Sequence, residues 1–264
     1  MIITSSQNPK LKRLVSLRER RTRAESGLAL VEGFEEVELA LSGRARITEC
    51  YYSRELFRLP QEATLLTRLA DEGAALYEVD ARLFPKIAYR EHPDGWLAVA
   101  QLPHLSLGHL RLSDTPFVLI AESVEKPGNL GAMLRTAEAA GVEAVIAADP
   151  RTDWANPNVI RASKGALFCL QTCESPTAPL IDWLKAQSIQ IVIATPEAAV
   201  PYHAPNYRGG VAIVMGTEKE GVSRRWHTAA DHAVAIPMFG KVNSLNVSVA
   251  AAILLYEVVR QRAK

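Results

Sequence analysis

Two polar loops near the end of the chain carry the residue types best suited to ligand chemistry. The apolar run VAIVM at 211–215 ends at Gly216 and continues into the acidic turn TEKEG, and the run AVAIPM at 233–238 leads into a glycine-containing loop. Short apolar runs of this kind predict buried strands of a parallel sheet, in which ligand crevices form at the carboxyl ends of the strands. Because both loops are polar and rich in backbone donors, they predict a crevice for a small polar molecule.

A third loop, SVEKPGNLG, lies between the predicted strand FVLIAE at 117–122 and a helix with regularly spaced apolar residues. Its glycines and Asn129 suit a close approach of the backbone to a ligand or a phosphate. A simpler interpretation is that Asn129 caps the helix and that Arg135 lies on its solvated side. The loop lacks the GxGxxG spacing of dinucleotide-binding proteins, so by itself it identifies no cofactor.

The elements that must position these loops form an α/β pattern in two parts. In the second part, strands alternate with helices, which predicts a mostly parallel open sheet. Its predicted strands are 117–122, 142–148, 189–195, 211–215 and 233–238. The first part begins with a helix predicted over 8–23 and forms a small α/β unit. Two prolines and the lack of periodicity across 101–116 indicate a connection, so we predict a domain at 1–103, a linker at 104–115 and a second domain at 116–264.

The positive charge is concentrated at the N-terminus. Residues 1–23 hold seven basic side chains and only Glu19 as an acid, so this segment carries +6 and leaves −5 for the rest of a chain whose total is +1. Such a segment predicts a polyanionic partner, because contacts to phosphates release bound counterions. The alternative is a solvated helix face with no partner.

Cysteine usage and hydropathy give expectations about the environment of the protein. Cys50, Cys169 and Cys173 have neither the number nor the spacing of a disulfide framework or a metal site, so we expect no metal. We see no signal segment and no apolar run near the roughly 18 residues that cross a bilayer. We therefore expect a soluble, cytoplasmic protein without a membrane partner.

Three motifs occur in order along the second part: NLGAMLRTAEAAGV at 129–142, VMGTEKEGVS at 214–223 and IPMFGKVNSLNVSVAAAILLYEVVRQR at 236–262. They resemble the motifs of the SpoU (TrmH-like) RNA ribose 2′-O-methyltransferases of the SPOUT class. The resemblance extends to 152–168, and residues 8–41 look like the small substrate-binding domain of that family. It therefore covers essentially the whole chain.

The resemblance implies a function and an assembly. It implies transfer of a methyl group from S-adenosylmethionine to a ribose 2′-hydroxyl of RNA, without a metal, by a homodimer. It implies a C-terminal trefoil knot that forms the cofactor site, behind a small RNA-binding domain. The separate N-terminal domain favours ribosomal RNA over transfer RNA as the substrate.

The resemblance also assigns a cofactor site that acts mainly through backbone groups. The matching residues are Thr195, Gly216, Ile236, Met238 and Leu245. Core packing would equally explain the apolar side chains among them, so their binding role rests on the resemblance.

Catalytic positions are carried over in the same way. They are Asn129, Arg135, Glu218, Ser244 and Asn246. The Arg135 guanidinium suits a bidentate phosphate clamp beside the target ribose, and we prefer this to a role as general base because an arginine pKa lies above ~12. Ser244 and Asn246 precede a helix, so helix capping is an alternative or additional role. Glu218 has the alternative of a structural role in its loop.

Basic residues are expected to contact RNA phosphates and to add affinity without selecting a base. They are Lys10, Arg13, Arg18, Arg20, Arg21, Arg23 and Arg161. The final helix has an apolar face that includes Val247, Leu254 and Val258, which either packs on its own sheet or joins the dimer seam that the resemblance implies.

Three other functions stay open at this point. A transfer-RNA 2′-O-methyltransferase and a non-catalytic RNA-binding protein would have the same fold. A nucleotide-dependent oxidoreductase with a doubly wound sheet is a third alternative, which the absence of GxGxxG disfavours.

Overall fold

A computed structural model describes residues 2–263, which form two compact units. The helices are α1 (Pro9–Ser16), α2 (Arg20–Ser26), α3 (Phe34–Ser42), α4 (Glu62–Asp71), α5 (Phe84–Ile87), α6 (Pro127–Ala139), α7 (Pro157–Ser163), α8 (Thr177–Ala186), α9 (Arg224–Ala229) and α10 (Val247–Arg262). The strands are β1 (Leu28–Glu32), β2 (Arg46–Tyr52), β3 (Ala75–Glu78), β4 (Trp96–Gln101), β5 (Phe117–Glu122), β6 (Ala144–Ala148), β7 (Gln171–Ser175), β8 (Gln190–Ala194), β9 (Val200–Pro201), β10 (Val211–Met215) and β11 (His232–Ala235). Short 3₁₀ turns lie at Arg54–Leu56, Ala81–Leu83, Leu107–His109 and Ala166–Phe168.

The first unit combines Met1–Pro103 with Asp153–Cys169, and the second combines His104–Thr152 with Leu170–Lys264. Residues 153–169, which the division at 116 assigns to the second domain, therefore group with the first unit, where α7 packs on β1. The predicted domain limits themselves stay a prediction.

The first unit contains a four-stranded sheet in the order β1-β4-β2-β3. β4 runs antiparallel to β1 and β2, and β2 runs parallel to β3. Leucines 11, 14 and 17 of the N-terminal segment are buried against Tyr51 and Leu97 of the sheet. Their 3-residue spacing explains why α1 forms on this surface, with its charged residues turned outward.

The single helix predicted over 8–23 is interrupted, because the chain leaves helical geometry after Ser16 and resumes it at Arg20. The Arg23 guanidinium stabilises this break, donating to the carbonyl oxygens of Leu17 at 3.1 Å and Arg18 at 2.7 Å. It also forms a two-pronged ion pair with Asp153. The sequence pattern of 8–23 gave no indication of this buried side-chain contact.

The second unit contains a seven-stranded sheet in the order β7-β6-β5-β10-β8-β11-β9, and every neighbouring pair is parallel. The predicted α/β fold with a mostly parallel sheet is confirmed. All residues of β5, β6 and β10 are buried. From β5 the chain moves to one side through β6 and β7, and it then builds β8 and β11 on the other side. Crevices form at such a reversal of strand order, outside the carboxyl ends of the strands.

Strand β7 is absent from the sequence-based prediction because it is mostly polar. Its Gln171 side chain is buried, accepts from the Arg111 amide at 3.0 Å and donates to the Arg111 carbonyl at 2.7 Å. These tertiary hydrogen bonds make a polar residue acceptable in a sheet.

Helix α10 begins at its cap Asn246, whose Oδ1 accepts from the Ser248 amide at 2.9 Å. The predicted apolar face, including Val247, Leu254 and Val258, is buried, and α10 packs on α6 and β10. Packing within its own chain therefore accounts for this face. The predicted trefoil knot stays a prediction. Among the helices of residues 2–263, none combines the length and apolar character needed to cross a bilayer.

Candidate active site

A cavity of about 670 Å³ opens in the second unit at the carboxyl ends of β8, β10 and β11. All five residues that the sequence assigns to a cofactor line it: Thr195, Gly216, Ile236, Met238 and Leu245. Each follows one of these strands or lies in the loop between β11 and α10, so the parallel sheet brings distant segments together at one edge. The volume is within the range of ligand-binding pockets, roughly 300–1,000 Å³.

One wall of this cavity is a tight turn that follows β10. The Thr217 amide donates to the Gly221 carbonyl at 2.9 Å, and the Gly221 amide donates back to the Thr217 carbonyl at 3.1 Å. A Cβ atom on Gly216 would lie 2.1 Å from the backbone of Gly221, which no real contact allows. Glycine at 216 is therefore required for this turn to close.

The mouth of the cavity combines apolar and anionic groups. Ile236 and Met238 contribute apolar surface, while the Thr195 hydroxyl donates to the Glu197 carboxylate. This hydrogen bond lowers the pKa of Glu197, so the carboxylate is ionised at neutral pH. Glu218, Glu220 and Lys219 also line this cavity, so its carboxylates outnumber its lysine. Apolar surface with an excess of negative charge suits a ligand that has an aromatic part and a positive charge.

A second cavity of about 300 Å³ lies in the same unit and shares part of its lining with the first. Residues 216–220 and Val247 line both. Asn129, Lys126 and Arg151 line the second cavity. The turn after β10 therefore lies between the large cavity and a smaller one, in which Lys126, Arg151 and Lys219 are balanced by three carboxylates.

Side chains from all three sequence motifs meet beside this turn. Asn129 donates through Nδ2 to Glu218, and its Oδ1 accepts from Asn246 Nδ2 at 3.1 Å. Lys126 forms an ion pair with the same Glu218 carboxylate. Asn129, Glu218 and Asn246, which we call the Asn129 network, are thus connected although Glu218 and Asn246 lie 89 and 117 residues from Asn129 in sequence. Because both ends of the Asn129 amide are engaged, its orientation is fixed.

The other two proposed catalytic residues lie outside this network. Ser244 is exposed and lines the large cavity. Arg135 is exposed on α6 and forms no hydrogen bond or ion pair with the described part of the chain. Its guanidinium is therefore free to bind an anion.

Two residues of this region were missed by the sequence analysis. Lys126 directly precedes α6, and Arg151 follows β6 and pairs with Glu125 at 3.0 Å. Lys126 could have been predicted, because it is a cation inside the glycine-containing loop. Arg151 could not, because it comes near this loop only through the pairing of β6 with β5 in the sheet.

The basic residues of the N-terminal segment have very different surroundings in the first unit. Arg23 is only 4% exposed and is neutralised by Asp153, which gives it a structural role. Arg13 pairs with Glu49 at 2.6 Å, and Arg21 pairs with Glu25 at 2.7 Å.

Three further cations contact aromatic rings or the backbone. Lys10 lies 4.3 Å from the centre of the Tyr77 ring, and Arg18 donates to two backbone carbonyls. Arg161 is exposed near Tyr89. Arg20 is exposed and has no side-chain partner within residues 2–263. The unpaired cations suited to phosphate are therefore fewer than the charge count suggests.

Residues 2–263 contain no group of three or more histidine, cysteine, aspartate or glutamate side chains arranged to hold a metal ion.

Comparison with known families divides the chain in two. Residues 116–256 match the SpoU rRNA methylase family, and residues 8–98 match the MRM3-like substrate-binding domain. The first match contains the large cavity and the Asn129 network.

Individual proteins give the same picture over the full length. The chain is 30% identical to the 23S rRNA (guanosine(2553)-2′-O)-methyltransferase RlmP of Bacillus subtilis, over 96% of this chain and 97% of that protein. A crystal structure of an RNA 2′-O ribose methyltransferase is 40% identical, with a TM-score of 0.87 over 99% of each chain. The AdoMet-bound rRNA methyltransferase of Sinorhizobium meliloti is 26% identical, with a TM-score of 0.91 over 100% of this chain and 99% of that one.

Proposed function

We propose a function from one premise: the chain belongs to the SpoU rRNA methylase family. It transfers a methyl group from S-adenosylmethionine to a ribose 2′-hydroxyl of ribosomal RNA. The observation that carries this proposal is that the large cavity and the Asn129 network meet at one turn, residues 216–221. A methyl donor and a nucleotide can therefore be held on the two sides of the same element.

The large cavity fits S-adenosylmethionine in size and chemistry. The cofactor supplies an electrophilic methyl group on a positively charged sulfur. Ile236, Met238 and Leu245 offer apolar surface for its adenine, and the turn that Gly216 allows to close forms one wall of the cavity. Ionised Glu197 at the mouth favours a cationic ligand. A solved relative whose name states that it is AdoMet-bound supports this assignment.

The Asn129 network, together with Arg135 and Ser244, positions the RNA. Asn129, fixed by Glu218 and Asn246, presents a polar group of set orientation beside the turn. Arg135 binds the phosphate next to the target ribose and stabilises the negative charge that develops on the 2′-oxygen, whose proton passes to solvent water as the methyl group leaves the sulfur. Ser244 lies in the loop that lines the large cavity and assists this alignment. Preorganised donors of this type lower the barrier because they need no rearrangement during the reaction.

The active form is a homodimer, a proposal supported by apolar side chains left exposed near the cavity. They are Phe239, Val242, Leu245, Val249 and Tyr256. Val249 and Tyr256 are about half exposed on the outer face of α10, and Phe239 is 98% exposed. The other three side chains lie in the loop that precedes α10. Exposed apolar groups that are clustered in this way are typical of an interface. Light scattering should show a dimer for the wild type and a monomer for Val249→Glu/Tyr256→Glu; an unchanged mass in the double variant contradicts this interface.

Ribosomal RNA is the proposed substrate because a curated relative that spans the whole chain is named for 23S rRNA. The cytoplasm is the proposed location on the same ground. Mapping of 2′-O-methyl groups in ribosomal and transfer RNA, with and without the gene, tests the choice. We expect one mark to be lost from ribosomal RNA and to be restored in vitro by the purified protein and S-adenosylmethionine. Loss of a mark from transfer RNA alone would replace the substrate, and no lost mark together with no transfer in vitro would reject the activity.

A further inference from the structure

A half-exposed tyrosine in the first unit is surrounded by arginine side chains. Tyr89 lies in the loop after α5, and its side chain is 39% exposed. The guanidinium carbons of Arg18 and Arg161 each lie 5.8 Å from the centre of its ring. These three residues, which we call the Tyr89 platform, come from the connection between α1 and α2, the loop after α5, and α7. The platform is therefore formed by the packing of the unit and not by residues that are neighbours in sequence.

The ring is held in place by contacts around it. The Tyr89 hydroxyl accepts from Asn158 Nδ2 at 2.9 Å. The backbone amides of Tyr89 and Arg90 donate to the Glu32 carboxylate at 2.6 and 3.0 Å. Burial of Glu32 raises its pKa, although these hydrogen bonds act in the opposite direction. An exposed ring that is fixed at both its hydroxyl and its backbone is preorganised to receive a flat ligand.

The two arginine side chains of the platform differ in whether their guanidinium groups are free to bind a ligand. Arg18 donates through Nη2 to the carbonyl oxygens of Ile87 and Ala88, at 2.7 and 2.6 Å, and these hydrogen bonds hold it beside the ring. Arg161 is exposed and has no hydrogen bond or ion pair from its side chain to any described residue. One guanidinium is therefore fixed, and the other can reach a phosphate. Of the carboxylates close to the ring, Glu32 is buried on backbone amides and Glu36 is buried and pairs with Arg90 at 2.5 Å, so neither of them pairs with Arg161.

We propose that the Tyr89 platform binds an unpaired RNA base by stacking, with Arg161 contacting a phosphate of the same strand. The inference rests on the proposed function, since it takes RNA as the partner. Single-stranded RNA is bound by stacking its bases on aromatic rings or guanidinium planes inside a positively charged surface. The platform has both components, whereas an A-form duplex keeps its bases stacked on one another and offers none to the ring. The platform therefore selects unpaired nucleotides of the RNA.

The test compares a short single-stranded RNA containing 2-aminopurine with the duplex formed by its complement. Full-length wild type should bind the single strand more tightly and change its 2-aminopurine fluorescence. Tyr89→Ala should weaken single-strand binding by between about 5- and 150-fold while leaving duplex binding little changed. Arg161→Gln should reduce the salt dependence of binding by about one phosphate contact, a slope that Tyr89→Ala keeps.

Three variants separate stacking from folding. Tyr89→Phe keeps the ring and should bind like the wild type, and Tyr89→Leu keeps apolar volume without a π face and should bind like Tyr89→Ala. Leu59→Ala, which truncates another exposed apolar side chain of the same unit, should have no effect. If Tyr89→Ala unfolds, the difference between Tyr89→Phe and Tyr89→Leu decides the matter.

Equal binding of the single strand by the wild type, Tyr89→Ala and Tyr89→Leu would overturn the proposed role of the platform. A wild type that binds no single strand would also overturn it and would point to a protein partner. Failure of the proposed function is recognised separately. A wild type that binds no S-adenosylhomocysteine and transfers no methyl group refutes the activity, even where Tyr89 governs RNA binding. Normal methyl transfer and cofactor binding with indifference to Tyr89 refute only the platform.

Discussion

The large cavity of the second unit and the cationic segment of the first unit were both expected from the sequence, but the structure agrees with the two expectations to different degrees. The five residues assigned to the cavity all line it. Of the basic residues at 1–23, Arg23 is buried, Arg13 and Arg21 are paired with glutamates, and Arg18 is spent on backbone carbonyls. The residues assigned from the sequence thus share one cavity in the second unit, whereas the basic residues assigned in the first unit have several different roles.

The difference has a topological cause. Residues that follow strands of one parallel sheet share an edge, so the sheet itself gathers them. A count of charges contains no information on which acceptors lie nearby, because those acceptors come from distant parts of the chain. Asp153, for example, lies 130 residues from the arginine that it neutralises.

The largest effect is expected at Arg135, the free guanidinium of α6. Arg135→Lys keeps the charge but loses the two-pronged geometry, so methyl transfer should fall about 100-fold or more. The measurement is transfer of a labelled methyl group to ribosomal RNA, with unchanged calorimetric binding of S-adenosylhomocysteine as the control. Wild-type turnover would reject the phosphate clamp.

Next in size is the contrast within the cationic segment. Arg23→Gln leaves Asp153 without its partner and two carbonyls without donors, so the free energy of unfolding should fall by about 3 kcal/mol. The matched change Arg20→Gln removes an exposed, unpaired cation and should alter stability by less than about 0.5 kcal/mol. Urea denaturation measures both. Equal losses in the two variants would show that burial does not distinguish these arginines.

Asn246 allows helix capping to be separated from a role in the site. Asn246→Asp retains the cap on α10 but replaces the amide donor to Asn129 with a carboxylate, so methyl transfer should fall about tenfold at unchanged melting temperature. Asn246→Ala should lose the same activity and about 1 kcal/mol of stability as well. If Asn246→Asp has full activity, capping is the only role of this residue.

Sequence patterns predicted the features that depend on local order. Apolar runs gave β5, β8 and β10 within one residue at each end, and the motifs identified the family that the comparisons confirm. The contacts Asn129–Glu218 and Asn129–Asn246 were not predictable as hydrogen bonds, because they need the tertiary positions of three loops.

The features that the sequence did not predict depend on polar side chains whose hydrogen-bond partners are distant in sequence. β7 is polar and is accepted in the sheet through Gln171, and the first helix is interrupted where Arg23 donates to its carbonyls. Residues 153–169 follow β6 in sequence but pack within the first unit, which no local pattern indicates. The Tyr89 platform has the same origin, since Arg18 and Arg161 approach the ring from opposite ends of that unit's sequence.

Calorimetric titration of S-adenosylmethionine and S-adenosylhomocysteine tests most directly whether the turn at 216–221 encloses the methyl donor. The wild type should bind one molecule per chain. Gly216→Ala forces a Cβ to within 2.1 Å of the Gly221 backbone and should lose most of this affinity, whereas Gly108→Ala, which has open space around it, should bind like the wild type. Absence of binding to the wild type, or equal binding by Gly216→Ala, would contradict the account.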